Sequence, residues 1–164
     1  MKKYFYLLFI VFAVSSCHDD GYEDTNFIPN IVFSTTINLN LPQNQNLLIP
    51  NQYVVYPNMG HRGVIVYNMG NGEQSVDEFV AFDLACPHIE LTSCANPMDI
   101  SNFPEMTNAC DSDGIFYDFQ LGYSRTYEKD AEGNQISVSG VRYDLQQYKA
   151  ERLGGGNELR ISNF

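Results

Sequence analysis

Basic residues are scarce in this chain. Nine Lys and Arg stand against 20 Asp and Glu in 164 residues, a formal net charge of −11. The few cations form no stripe and do not interleave with aromatics. An acidic surface of this kind repels a phosphate backbone, which argues against nucleic acid as a partner. After Val14 no apolar run is long enough to cross a bilayer, so the remainder of the chain is expected to be soluble. No long helical periodicity and no internal repeat is present. A Gly-rich phosphate loop and a Gly-x-Ser-x-Gly elbow are both lacking. Ser, His and Asp occur without the spacing of a triad, so nothing points to a hydrolase. Tryptophan is absent, while Tyr and Phe number 11 each. Most of these fall at alternating strand positions, which reads as core and hairpin packing and not as a carbohydrate-binding face.

The N-terminus is organised differently. Lys2 and Lys3 precede an unbroken apolar run of 11 residues, Tyr4 to Val14, followed by Ser15, Ser16 and Cys17. The run is short for a membrane span and has the length of a signal-peptide core. Val14-Ser15-Ser16-Cys17 resembles the lipobox of bacterial lipoproteins. That resemblance implies cleavage before Cys17, diacylglycerol on its sulfur, and attachment to a membrane of the cell envelope, with the outer membrane expected. The expected organisation is a signal peptide over 1–16, a lipidated acidic tether over 17–30, and a β-domain over 31–164. Cleavage removes two lysines and no acid, leaving 148 residues with seven basic against 20 acidic, a net charge of −13. His18 to Asp24 (HDDGYED) reads as a solvated tether, and it also resembles the surface-export signal of Bacteroidetes lipoproteins. The remaining 148 residues suffice for one core without staples.

From residue 31 onward, apolar residues alternate at period two between turn signals. Ile31, Phe33, Thr35, Ile37, Leu39 and Leu41 predict one strand. Gln52 to Tyr56, Gly63 to Tyr67 and Phe79 to Ala85 predict three more, with a turn at Gly70-Asn71-Gly72. Pro87 to Cys110 breaks the pattern and predicts a long irregular loop, which in a compact domain is usually functional or disordered. Ile115 to Phe119 restores a strand. Glu132-Gly133-Asn134 predicts a turn before Ile136 and Val138, and Gln147 to Leu153 with Glu158 to Ser162 predicts a closing hairpin. Short strands at this spacing predict an all-β sandwich or barrel-like domain.

The chemistry-bearing residues lie at the two ends of the long loop. Cys86-Pro87-His88 follows an apolar strand, and Cys110-Asp111-Ser112-Asp113-Gly114 precedes an aromatic one. Two thiolates and an imidazole brought together from two loops suit a two-iron cluster. The pattern resembles the Rieske iron–sulfur domain, whose first loop carries Cys-x-His and whose second carries Cys-x-x-His-Gly before a Phe-Asp strand. The matching positions are Cys86, His88, Cys110, Gly114 and Asp118, with Tyr117 near the aromatic position. Ala81 to His88 and Gly60 to Val66 are also similar, and the likeness spans roughly residues 31 to 164. It implies an all-β, Rieske-like antiparallel sandwich with two cluster-binding-type loops, a [2Fe-2S] cofactor, and single-electron exchange with an envelope redox partner.

The chain departs from that pattern where it matters. Asp113 stands at the second histidine position. The family's cross-loop disulfide would need a cysteine at Ser112, and its first-loop partner is displaced unless Cys94 serves. Gly140 to Tyr143 lacks the covering proline, and a hairpin is inserted between Gly122 and Ser139. Three arrangements follow. Cys86, His88, Cys110 and Asp113 hold an altered cluster of lowered potential, the added carboxylate charge disfavouring reduction. Alternatively Cys94 replaces the missing ligand. In the third, two of Cys86, Cys94 and Cys110 form a disulfide across the loops, no cluster binds, and the protein is a binding or structural module, an outcome favoured by an oxidising compartment. An immunoglobulin-like sandwich is the alternative fold. His61 reads as a turn or surface histidine, and Asp111, Asp113 and Asp118 as a solvated acidic loop more than a calcium site.

Overall fold

The computed structural model describes residues 28–71, 78–110, 116–119, 126–137, 143–154 and 156–163. The leader, Cys17 and the tether through residue 27 lie outside them. Among the described residues there are ten strands: β1 (Ser34–Asn38), β2 (Tyr53–Tyr56), β3 (Val64–Asn68), β4 (Phe79–Asp83), β5 (Glu105–Thr107), β6 (Phe116–Asp118), β7 (Thr126–Lys129), β8 (Gln135–Ser137), β9 (Gln147–Arg152) and β10 (Glu158–Ser162). Six form one antiparallel sheet in the order β1-β10-β9-β4-β3-β2, curled into a half-barrel, and β5-β6-β7-β8 form a second sheet. The chain is all-β, as its alternation predicts. Among the described residues no helix is long and apolar enough to cross a membrane.

The two kinds of apolar pattern have different destinations. In β9 and β10 exposed and buried residues alternate over Gln147–Ala150 and Glu158–Ile161. Tyr148, Ala150, Leu159 and Ile161 are buried, while Lys149 and Arg160 face water. Arg160 lies opposite Glu151 across the hairpin and binds it at 2.7 Å. The unbroken runs of β3 and β4 are instead buried on both faces. Val64, Val66, Phe79 and Ala81 join Tyr148, Leu159 and Ile161 in one core inside the half-barrel. Ile65, Tyr67 and Phe82 join Met106, Tyr117 and Phe119 in a second core under the small sheet. Phe119 packs edge-on against Phe82, ring centroids 4.9 Å apart. A strand covered on both sides needs apolar residues at successive positions, which is what the sequence has there.

Three details differ from the sequence expectation. The first strand is only Ser34–Asn38, with Val32 84% exposed. It is cut short because Pro42 opens a 3-10 helix, Pro42–Leu48, which alternation did not predict. That helix is fixed by Asn44, whose amide donates to the Asn38 carbonyl at 2.7 Å and whose oxygen accepts from the Tyr56 hydroxyl at 2.9 Å. The long loop contains strand β5, too short at three residues to show a period. Packing also begins before residue 31: Ile28 is buried, and the Pro29 carbonyl is hydrogen-bonded to His61 Nε2. The turns at Gly133 and between β9 and β10 stand where predicted.

Asp83 is a carboxylate at the end of β4 with 0% exposure. A buried charge persists only when hydrogen-bonded, and this one accepts four bonds. Oδ2 takes the His61 N–H and the Tyr148 hydroxyl, each at 2.7 Å; Oδ1 takes the Ala85 N–H at 2.7 Å and the Arg62 N–H at 3.2 Å. Gly60 lies against it at φ +65, where a Cβ would come within 2.3 Å of Oδ2, so both the backbone conformation and the space require glycine. At the other end of β4, buried Glu78 accepts from Arg152 Nε and Nη2, and Arg152 Nη1 donates to the Gly156 carbonyl, closing the β9–β10 turn.

Asp83→Ala strips four donors of their acceptor and is expected to cost about 3–5 kcal/mol, read as a lowered urea midpoint; Tyr148→Phe should cost about 1–2 kcal/mol. Burial, then the bond to Asp83 and its charge, raise the Tyr148 pKa, and burial pushes Tyr56 up to about 12. Below the ordinary tyrosine pKa of 10.0 both folded and unfolded chains keep these protons. Above it the unfolded chain ionises first, so stability falls as pH rises. Urea melts from neutral to alkaline pH should show this decline, with a shallower slope in Tyr148→Phe.

Candidate functional site

The long loop leaves β4 at Leu84, whose N–H donates to the Gly63 carbonyl at 2.8 Å and whose carbonyl accepts from the Met98 N–H at 2.7 Å. These bonds pinch the base of the loop. Within it, Cys86-Pro87-His88 forms a turn that brings the two side chains together: Cys86 Sγ lies 3.2 Å from His88 Nδ1. Tyr117, in the middle of β6 opposite Met106, completes the group. Its hydroxyl is 3.5 Å from Cys86 Sγ and hydrogen-bonded to His88 Nδ1. Cys86 and Tyr117 are buried, whereas His88 is half-buried between the rings of Tyr117 and Tyr143.

The other half of the expected donor set is arranged differently. Cys110 is joined to Cys94 by a disulfide, with Cα atoms 5.7 Å apart, and Cys86 lies buried outside that bond. The disulfide fastens the first loop to the start of the second. Asn108 supports it by accepting the Cys110 N–H at 2.8 Å. Asp113, Asp111, Ser112 and Gly114 lie outside the described residues. Of the predicted site residues, then, the structure brings Cys86 and His88 together and pairs Cys94 with Cys110. Among the described residues, no three His, Cys, Asp or Glu side chains are grouped to hold a metal ion.

Arg62 holds the disulfide loop from below. Its guanidinium donates to the Leu91 carbonyl at 2.6 Å and to the Cys94 carbonyl at 3.1 and 3.0 Å. Its own N–H is bound to Asp83, so the buried carboxylate positions the arginine that positions Cys94. Sequence reasoning singled out neither Asp83 nor Arg62. The available signal was Asp83 itself, an acid embedded in the apolar run Phe79 to Ala85, where a charge is kept only with partners. Tyr117 was legible as an aromatic position and not as a polar neighbour of Cys86.

Arg62→Met keeps the apolar stem and removes the bonds to Leu91 and Cys94. It should cost about 1–3 kcal/mol and speed both hydrogen exchange over residues 90–95 and reduction of the Cys94–Cys110 bond by dithiothreitol, read by mass spectrometry. Compared with known proteins, the chain matches no family model, no curated protein and no solved structure.

Proposed function

We propose that the chain is a cell-envelope lipoprotein, held in the outer membrane by lipid on Cys17, whose β-domain is a degenerate Rieske-like scaffold serving as a binding or structural module without the ordinary [2Fe-2S] cluster. The observation that carries this reading is the Cys94–Cys110 disulfide. The resemblance requires Cys110 as a thiolate. A sulfur bonded to another sulfur has no proton to lose and no anionic lone pair to give to iron, so the residues as arranged do not fit the cluster. The disulfide instead supplies a cross-loop staple, with Cys94 as first-loop partner and Cys110 in place of a cysteine at Ser112. An oxidising compartment favours that bond, and a domain of this size folds without metal.

One observation favours a second reading, single-electron transfer to an envelope redox partner through an altered cluster: Cys86 and His88 already converge on one point. It requires Cys110 as a thiolate and Asp113 as the fourth ligand. Anaerobic expression of the full chain with iron separates the two. The first reading expects a colourless protein and a Cys94–Cys110 linked peptide on non-reducing mapping. Stoichiometric iron and sulfide with visible absorption, and no linked peptide, would establish the second and defeat the first. Replacing both Cys94 and Cys110 by Ala reopens a loop with a sequence separation of 16 and should lower stability by about 3 kcal/mol, measured by urea unfolding.

A further inference from the structure

With Cys110 held by Cys94, the first-loop pair of Cys86 and His88 is left beside Tyr117. We propose that Cys86, His88 and Tyr117 form a binding site for a single thiophilic cation of the zinc class. The three donors are one sulfur, one imidazole nitrogen and one phenol oxygen, contributed by the first loop and by β6. Cys86 Sγ stands 3.2 Å from His88 Nδ1 and 3.5 Å from the Tyr117 oxygen. Two ligands of a tetrahedral zinc, at about 2.3 Å for sulfur and about 2.0–2.1 Å for nitrogen, stand about 3.5 Å apart. The sulfur is therefore already near ligand spacing from both partners. His88 Nδ1 and the Tyr117 oxygen are in direct hydrogen-bond contact, so these two side chains must swing apart to ligand spacing before an ion can sit between them.

Burial and anchoring favour capture. Cys86 is 4% exposed and Tyr117 fully buried, so the sulfur and oxygen sit in a low-dielectric floor. His88 is only half-buried and leaves a way in from its side. Register with Met106 fixes Tyr117, and the bonds at Leu84 fix the start of the Cys86 turn. The ion must replace the His88–Tyr117 contact, and three protein donors leave a fourth position for water or an exogenous ligand. Thiolate softness selects zinc, cadmium or cuprous copper over magnesium or calcium. Binding releases the Cys86 proton to solvent. The site needs one ion, no sulfide and no electron. It rests on the clusterless reading only in that Cys94 and Cys110 stay paired.

The test uses the full, detergent-solubilised chain, stripped with chelator and titrated with cadmium without reductant. One equivalent should bind with the ultraviolet absorption of a cadmium–thiolate bond, and zinc should raise the melting temperature reversibly on chelation. Cys86→Ser should abolish the band. His88→Ala should weaken binding at least about tenfold, and Tyr117→Phe by a smaller measurable factor. No band and no zinc-dependent shift, a band that persists in Cys86→Ser, or unchanged affinity in Tyr117→Phe overturns the site. A band appearing only after reduction overturns it too, placing the ion on Cys94 and Cys110. Should Cys86→Ser fail to fold, the zinc-dependent melting shift and the His88→Ala titration decide. Non-reducing peptide mapping reports the disulfide separately, so loss of one reading is distinguishable from loss of the other.

Discussion

The buried carboxylate of Asp83 is the constraint on which the rest of the molecule depends. A charge with no exposure is tolerable only if nearly every lone pair is occupied. Meeting that condition draws four donors from separate parts of the chain: two from the turn after β2, one from Ala85 two residues beyond β4, and the hydroxyl on β9. The two halves of the six-stranded sheet share only a short stretch of ladder between β4 and β9, Ala81 with Tyr148 and Phe82 with Gln147. The Tyr148–Asp83 bond lies beside that seam and adds a polar tie where backbone pairing is thin. Gly60 completes the arrangement by leaving room for the carboxylate.

From this point order passes outward to the loops. Asp83 fixes the backbone of His61 and Arg62; Arg62 fixes the carbonyls of Leu91 and Cys94; Cys94 is covalently bound to Cys110. On the other side, the second core seats β6 and hence Tyr117 against Cys86. The loop ends are thus held by a charge, a covalent bond and aromatic packing. Each acts at a different distance, and none duplicates another.

Much of the fold is legible in the sequence because its cause is local. Alternation gives β9 and β10, and the glycines give the hairpin turns. The 3-10 helix at Pro42–Leu48 escapes because its stability comes from polar side-chain bonds of Asn44 to Asn38 and Tyr56, which apolar alternation does not register. Strand β5 escapes because three residues carry no period and its partner, β6, lies beyond the second loop. The site divides in the same way. Cys86 and His88 meet because only Pro87 separates them across a turn, which spacing can predict. Which cysteine pairs with Cys110 depends on how Arg62 and Asn108 shape two loops, and no spacing rule encodes that.

Strands β3 and β4 form the common wall of both hydrophobic cores, Val64 and Val66 facing one and Ile65 and Tyr67 the other. Neither compartment can lose its lining while its neighbour keeps its own. The half-barrel and the small sheet are therefore expected to melt together as one cooperative unit.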